Sequence, residues 1–254
     1  MFSFYVIIKN RGDLVLDDII KNIYDKYLKN WVKNNYKYLL TILLYVMYQC
    51  DFIMNLINLT NINLSALPRI ARISILIINY LIYVFAMIFI FWKDIKRCIK
   101  DLKKDFSSKA LLGLNCWIIG CLVMTISSVI ISLITGNSTS TNEVLVRQNI
   151  KVAPIFMLFL CTVVAPILEE MTFRKALYGL IKNKVVFIIS SGVIFGLLHI
   201  AGSYSGPLDL LYVIPYGAMG CSFAFLLTQT NNIVLPIGIH MIHNFILVLS
   251  QILR

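Results

Sequence analysis

Three short strings in the second half of the chain place ionisable side chains inside otherwise apolar sequence. They read Pro166-Ile-Leu-Glu169-Glu170-Met-Thr-Phe173-Arg174, then Phe195-Gly-Leu-Leu-His199, then His240-Met-Ile-His243-Asn244. An ionisable side chain facing hydrocarbon costs on the order of 3 kcal/mol even on the lenient insertion scale, so residues of this kind need a reason to be there. In a helix Glu170 and Arg174 are i, i+4 neighbours and can pair. Glu169 is rotated by about 100° on the same turn and stays free for another partner. His240 and Asn244 are again i, i+4, so one helix face presents an imidazole and an amide. A carboxylate, two imidazoles, an amide donor and a guanidinium converging in a dry cavity can deprotonate a water and stabilise an oxyanion. Those are the two demands of amide hydrolysis.

Each string alone says little. An isolated E-E-x-x-x-R is usually a solvated helix face, and a single F-x-x-x-H or H-x-x-x-N is usually a core aromatic or a helix-helix hydrogen bond. The signal is their conjunction, in this order and each within an apolar run. Depth adds to it: a turn near Asn183 joins the first two runs, with Glu169 14 residues before it and His199 16 after. At helical rise both lie ~21–24 Å along antiparallel helices and can face each other. His240 lies only ~12 Å into its run from the same side, a mismatch that helix tilt is expected to absorb.

The elements that position these residues follow from composition. Of 254 residues, 59% are apolar and 14% charged, with a mean hydropathy of +0.82; soluble domains run at roughly 45–50% and about 25%. This excludes a disordered chain, a disulfide scaffold and a conventional soluble enzyme, because a globule this size lacks the interior to hide so many apolar side chains. The expected fold is all-α, a polytopic membrane helical bundle. Seven spans are predicted, at 38–59, 72–92, 111–135, 152–180, 185–201, 208–228 and 233–249. Between Leu14 and Trp31 the apolar positions recur at helical spacing, with Lys21, Lys26 and Lys29 opposite, which predicts an amphipathic helix lying in the membrane interface. The chain therefore divides into an interfacial segment, 1–37, and a transmembrane domain, 38–254. Met1 to Ile8 is too short for a signal-peptide core, and no small-residue cleavage site follows, so no cleaved signal is expected. The cysteines at 50, 98, 116, 121, 161 and 221 show no ligand-like pairing and read as small core hydrophobes.

The net charge of +11 is spread between apolar runs instead of along one polar face, which favours anionic lipid head groups over nucleic acid as its partner. Lys and Arg number seven in 1–37, seven in 93–109 and four from Arg174 to Lys184, against Arg69, Arg72, Arg147, Lys151 and Arg254 at the other ends of the spans. The positive-inside rule then places the N-terminus in the cytoplasm.

The ordered trio E-E-x-x-x-R, F-x-x-x-H and H-x-x-x-N resembles the CPBP family, the CAAX prenyl proteases and bacteriocin-processing proteins also called the Abi family. The resemblance covers about residues 152–250. It implies an intramembrane endopeptidase in which Glu169 and His199 activate the hydrolytic water and Glu170 and Arg174 form the paired support of the site. His240 and Asn244 would complete the site and hold the oxyanion. Two departures stand out: Lys175 follows Arg174 where small residues are common, and His243 is an extra imidazole beside the last motif. His199, His240 and Glu169 would suffice as three ligands of a catalytic zinc with one open position. A metal-free water activated by Glu169 is also compatible, and the missing third histidine or thiolate tilts the reading that way.

The expected substrate is a hydrophobic or membrane-anchored peptide. Richness in Ile, Asn and Lys suggests a bacterial source, hence a peptide signal, a bacteriocin leader or an incoming bacteriocin. The runner-up is a non-enzymatic immunity or regulatory protein, against which buried charges argue because a binding scaffold has no need of them. A proton-coupled carrier would also use intramembrane Glu and His, yet no inverted repeat or pair of broken helices is evident. The orientation is testable by labelling from outside with a membrane-impermeant thiol reagent. A cysteine introduced at Ser138 should react and one at Ser107 should not; the reverse pattern would sink the topology.

Overall fold

The computed structural model describes residues 28–60, 64–137 and 139–253, and the predicted interfacial helix lies outside them except for its last four residues. The described chain is helical: α1 (Lys29–Gln49), α2 (Phe52–Asn58), α3 (Arg69–Ile90), α4 (Trp92–Lys104), α5 (Phe106–Thr135), α6 (Thr141–Val152), α7 (Pro154–Leu180), α8 (Lys184–Ala201), α9 (Val213–Thr230) and α10 (Val234–Ile252). Short 3-10 turns occupy Leu64–Ala66 and Pro207–Tyr212, and no strand occurs among the described residues. Among the described residues six helical segments are long and apolar enough to cross a membrane, and α1 with α2 makes a seventh if that bent pair is one span. This is a polytopic helical membrane bundle.

The first span departs from expectation. It begins at Lys29, before the anticipated boundary at residue 37, and it breaks after Gln49 with a bend of 51°. Asp51 takes up a left-handed backbone, φ 48°, and its carbonyl accepts from the Asn55 N–H to start α2. Asp tolerates that conformation better than most residues, and an apolar count over 38–59 does not register it. Helix α4 then carries Lys93, Lys96, Arg97, Lys100, Lys103 and Lys104 between two spans, with Cys98 as its buried residue. Its Asp94 meets Lys175 of α7 at 3.0 Å, so this lysine ties the two helices together.

Helix α7 is not uniformly α. Leu160–Val164 and Glu170–Ala176 are π turns on either side of a short α segment starting with Ala165 and Pro166. Proline lacks an N–H, and its ring crowds the carbonyl four residues back, here that of Thr162. The widened turn before Pro166 accommodates both effects, and such π bulges recur at functional sites. Packing more residues per turn also shortens the climb along α7. That is one reason His240, apparently too shallow by counting residues, meets Glu169 after all.

Helices α8 and α9 approach through small residues. A Cβ on Gly196 would sit 2.6 Å from the Val213 carbonyl oxygen, and one on Gly192 would sit 2.8 Å from that of Gly217, so both positions exclude any side chain. Without a hydrophobic drive between helices in lipid, close backbone approach supplies the van der Waals contact that holds them. The six cysteines are free thiols. Cys98 and Cys116 are buried as expected, but Cys50 is exposed and Cys161 faces a cavity, so the uniform core reading is corrected for these two.

The start of α10, which carries the last motif, is pinned by Asn232. This fully buried side chain donates to the Cys98 carbonyl at 2.8 Å and to Asp101 Oδ2 at 2.9 Å, while its Oδ1 accepts from the Val234 N–H at 3.1 Å. Lys109 sits 2.7 Å from the same Asp101 oxygen. The Lys109 ammonium, helped by the Asn232 amide, holds the Asp101 carboxyl below the usual carboxylate range. Asn232→Ala strands a buried carbonyl and a helix-start N–H, and is expected to lower stability by about 1–3 kcal/mol, read as a fall in Tm in detergent. Asn231→Gly at the neighbouring left-handed position, φ 48°, should leave Tm nearly unchanged.

Candidate active site

The site is built around one buried carboxylate. Glu170 and Arg174 are both fully buried, with Nη1 of the guanidinium 3.2 Å from Glu170 Oε1. That contact is an ion pair out of line for a hydrogen bond, and Arg174 Nε and Glu170 Oε2 have no hydrogen-bond partner either. Arg174 Nη2 donates to the Gly220 carbonyl of α9 at 3.2 Å. Its guanidinium carbon lies 4.4 Å from the Phe195 ring centre and 5.6 Å from that of Phe223, so aromatic faces replace part of its lost hydration. The third member is His240, whose Nδ1 lies 2.9 Å from Glu170 Oε1. An ionised carboxylate only accepts, so the Nδ1–H of His240 donates to it. This leaves Nε2 pointing the other way.

Glu169 has the opposite environment. It lines a cavity of about 740 Å³ together with His199, His240, His243 and Asn244. Its Oε2 lies 3.8 Å from His240 Nε2. His199 Nδ1 is 2.9 Å from the Phe195 carbonyl oxygen, four residues back, so that nitrogen carries the proton and Nε2 keeps its lone pair. The same residue supplies a ring 4.3 Å from the imidazole centre, and Tyr216 stacks on it at 4.6 Å. The F-x-x-x-H spacing thus has a local cause: Phe195 gives its successor a carbonyl and a wall.

All six expected residues converge, with two differences from expectation. Arg174 and Glu170 lie behind the cavity wall and not in the cavity, because the π turn at Glu170–Ala176 faces them into the packed core. Asn244 lines the cavity, but its Nδ2 donates one hydrogen to the Cys161 carbonyl at 2.8 Å, within the first π turn. Only its second amide hydrogen remains for other work. His243 accepts from Trp117 Nε1–H at 3.1 Å through its Nδ1, which ties α10 to α5. Trp117, Tyr216 and Phe223 were not picked out from the sequence. Nothing in their spacing marks them, since each meets the site across helices.

The zinc set named from the sequence does not fit this arrangement. Among the described residues no three His, Cys, Asp or Glu side chains come close enough together to hold a metal. Glu169 and His240 make a pair, with His240 Nδ1 already committed to Glu170.

Residues 151–246 match the Rce1-like family, described as type II CAAX prenyl endopeptidase Rce1-like. The resemblance read from the three motifs falls on this same stretch, which contains α7 to α9 and most of α10. The "Putative membrane peptidase YdiL" of Bacillus subtilis is 35% identical over 116 residues, 44% of this chain and 44% of that protein. The "Membrane-embedded CAAX protease MroQ" of Staphylococcus aureus is 30% identical over 165 residues, 61% of this chain and 62% of that protein. The "UPF0177 protein YvdC" of Lactococcus lactis is 27% identical over 136 residues, 52% of this chain and 50% of that one. The chain thus spans less than two thirds of each of these relatives. No solved structure matches.

The different surroundings of the two adjacent carboxylates should show in the stability of variants that disturb each. Arg174→Ala leaves Glu170 charged in low dielectric without its cation and should cost about 3–5 kcal/mol. Glu169→Ala removes a charge from the cavity wall and should leave Tm within a few degrees of wild type. Equal Tm values for the two variants in detergent melting would refute this division.

Proposed function

We propose that the protein is an intramembrane endopeptidase of the CAAX-protease type, hydrolysing a peptide bond in a hydrophobic or membrane-anchored peptide with a water activated by Glu169. One observation carries the reading: of two consecutive carboxylates, Glu170 is locked in a buried ion pair while Glu169 faces a peptide-sized cavity beside two imidazoles. A helix bundle gains no stability from such an arrangement, whereas a hydrolase requires it.

In this mechanism the water sits between Glu169 and the lone pair of His199 Nε2. Glu169 takes its proton as the water oxygen bonds to the scissile carbonyl carbon. Glu170 orients His240 through Nδ1, and His240 Nε2 relays the proton from Glu169 to the amine nitrogen as the carbon–nitrogen bond breaks. The second amide hydrogen of Asn244 is the donor for the oxyanion. Arg174 touches neither substrate nor water; it holds Glu170, which holds His240. The donor geometry supports a metal-free water.

The test compares wild type, Glu169→Ala and His199→Ala in the host by mass spectrometry of small peptides encoded nearby. Loss of a positioned proton acceptor is expected to lower cleavage by roughly 10²-fold or more, with membrane insertion unchanged. Chelator-treated protein should keep its activity. Stoichiometric zinc with metal-restorable activity would overturn the metal-free mechanism, and undiminished processing by Glu169→Ala would favour a non-enzymatic immunity or regulatory role.

A further inference from the structure

The cavity and the basic residues occupy opposite ends of the bundle. Cavity-lining positions fall between 124 and 133 on α5, 240 and 251 on α10, 157 and 169 on α7, and 45 and 49 on α1. Each range belongs to the part of its helix that lies away from the basic clusters. Those clusters stand at the other end: Lys33 and Lys37 early in α1, the six Lys and Arg of α4, Lys109 at the start of α5, and Lys175, Lys182 and Lys184 where α7 turns into α8. A separate, polar hollow of about 340 Å³ lined by Asp94, Arg97, Lys175 and Lys182 marks that end and shares no lining residue with the large cavity.

Among the described residues the cations at the cavity end are four, Arg69, Arg72, Arg147 and Lys151, against the dozen at the other end. Arg147 pairs with Glu143 on α6, and Arg69 donates to the Val152 carbonyl at the end of α6, at 3.2 Å. Helix α6 itself borders the cavity through Glu143, Val146, Arg147 and Ile150. Lys and Arg are retained on the cytoplasmic side of bacterial spans, so the charge pattern orients the cavity away from the cytoplasm.

We infer that the reacting centre is reached from the extracytoplasmic face, and that its substrate is a hydrophobic peptide segment presented there, part of an exported or membrane-inserted peptide, instead of a cytoplasmic tail. The walls suit such a guest. Thr125, Ser128 and Ser132 lie at i, i+3, i+7 along the α5 wall and offer hydroxyls to an extended backbone. Apolar Leu160, Leu247 and Val248 lie among the other lining residues. The inference rests on Glu169 and His199 being the reacting groups, but its test measures access and not activity, so either idea can fail alone.

Ser128→Cys and Gln251→Cys place thiols in the cavity, and Ser107→Cys places one at the basic end. Each is expressed in the full chain and treated with a membrane-impermeant maleimide, in intact cells and in inverted membrane vesicles, against the unsubstituted protein as background for its native thiols. Both cavity cysteines are expected to label several-fold above background in intact cells, and Ser107→Cys only in inverted vesicles. Two cavity positions are used so that one poorly folding variant, identified by gel filtration, does not void the result. Labelling of the cavity cysteines only in inverted vesicles would overturn the inference. So would an absence of labelling from both sides, because a substrate could not then enter from water.

Discussion

The buried carboxylate of Glu170 is the constraint on which the site depends. A charge with no exposure to solvent survives only with partners, and this one has two, the Arg174 guanidinium on its own helix and the His240 imidazole from α10. Arg174 reaches α9 through the Gly220 carbonyl and α8 through the Phe195 ring, so one ion pair engages four helices. Ion pairs of this kind contribute little net stability, because desolvation offsets attraction, but removing either partner is severely penalised. Glu169 is placed as a consequence: once its neighbour is anchored, it faces the cavity.

Local backbone irregularity makes the division between the two glutamates possible. Pro166 disrupts the α7 ladder, and the π turns on either side change which residues share a face. The glycine faces of α8 and α9 do related work by closeness. They let the two backbones approach until Tyr216 stacks on His199, while Phe223 on the α10 side of α9 lies 5.1 Å from His240. The aromatic residues then wall the imidazoles and leave the cavity-facing nitrogens as the polar groups available there.

Polar tethers at its start and its middle fix α10, which carries two imidazoles and an amide. Asn232 holds its start to α4, while Asn244 and His243 hold its middle to α7 and α5. In a bundle whose outer surface is apolar and faces lipid, such hydrogen bonds set register more sharply than apolar contact does. Only α7 and α10 of these partners lie within the stretch that matches the Rce1-like family; α4 and α5 lie before it.

The amino-acid sequence by itself determined the helical membrane class, most span positions and the six residues that converge, because hydropathy runs and i, i+4 spacing are local properties. It also determined that Glu170 and Arg174 pair, since both lie on one helix. It mislocated the first span, whose break at Asp51 depends on one backbone angle. It also put Arg174 in the cavity and left Asn244 wholly free. Tertiary structure alone decided that His240 is shared between Glu170 and the Glu169 side, that Asn244 is half committed to the Cys161 carbonyl, and that Trp117, Tyr216 and Phe223 frame the imidazoles. These contacts join residues far apart in the chain, and only the packing of helices, set by glycine seams, π turns and one buried charge, brings them within reach.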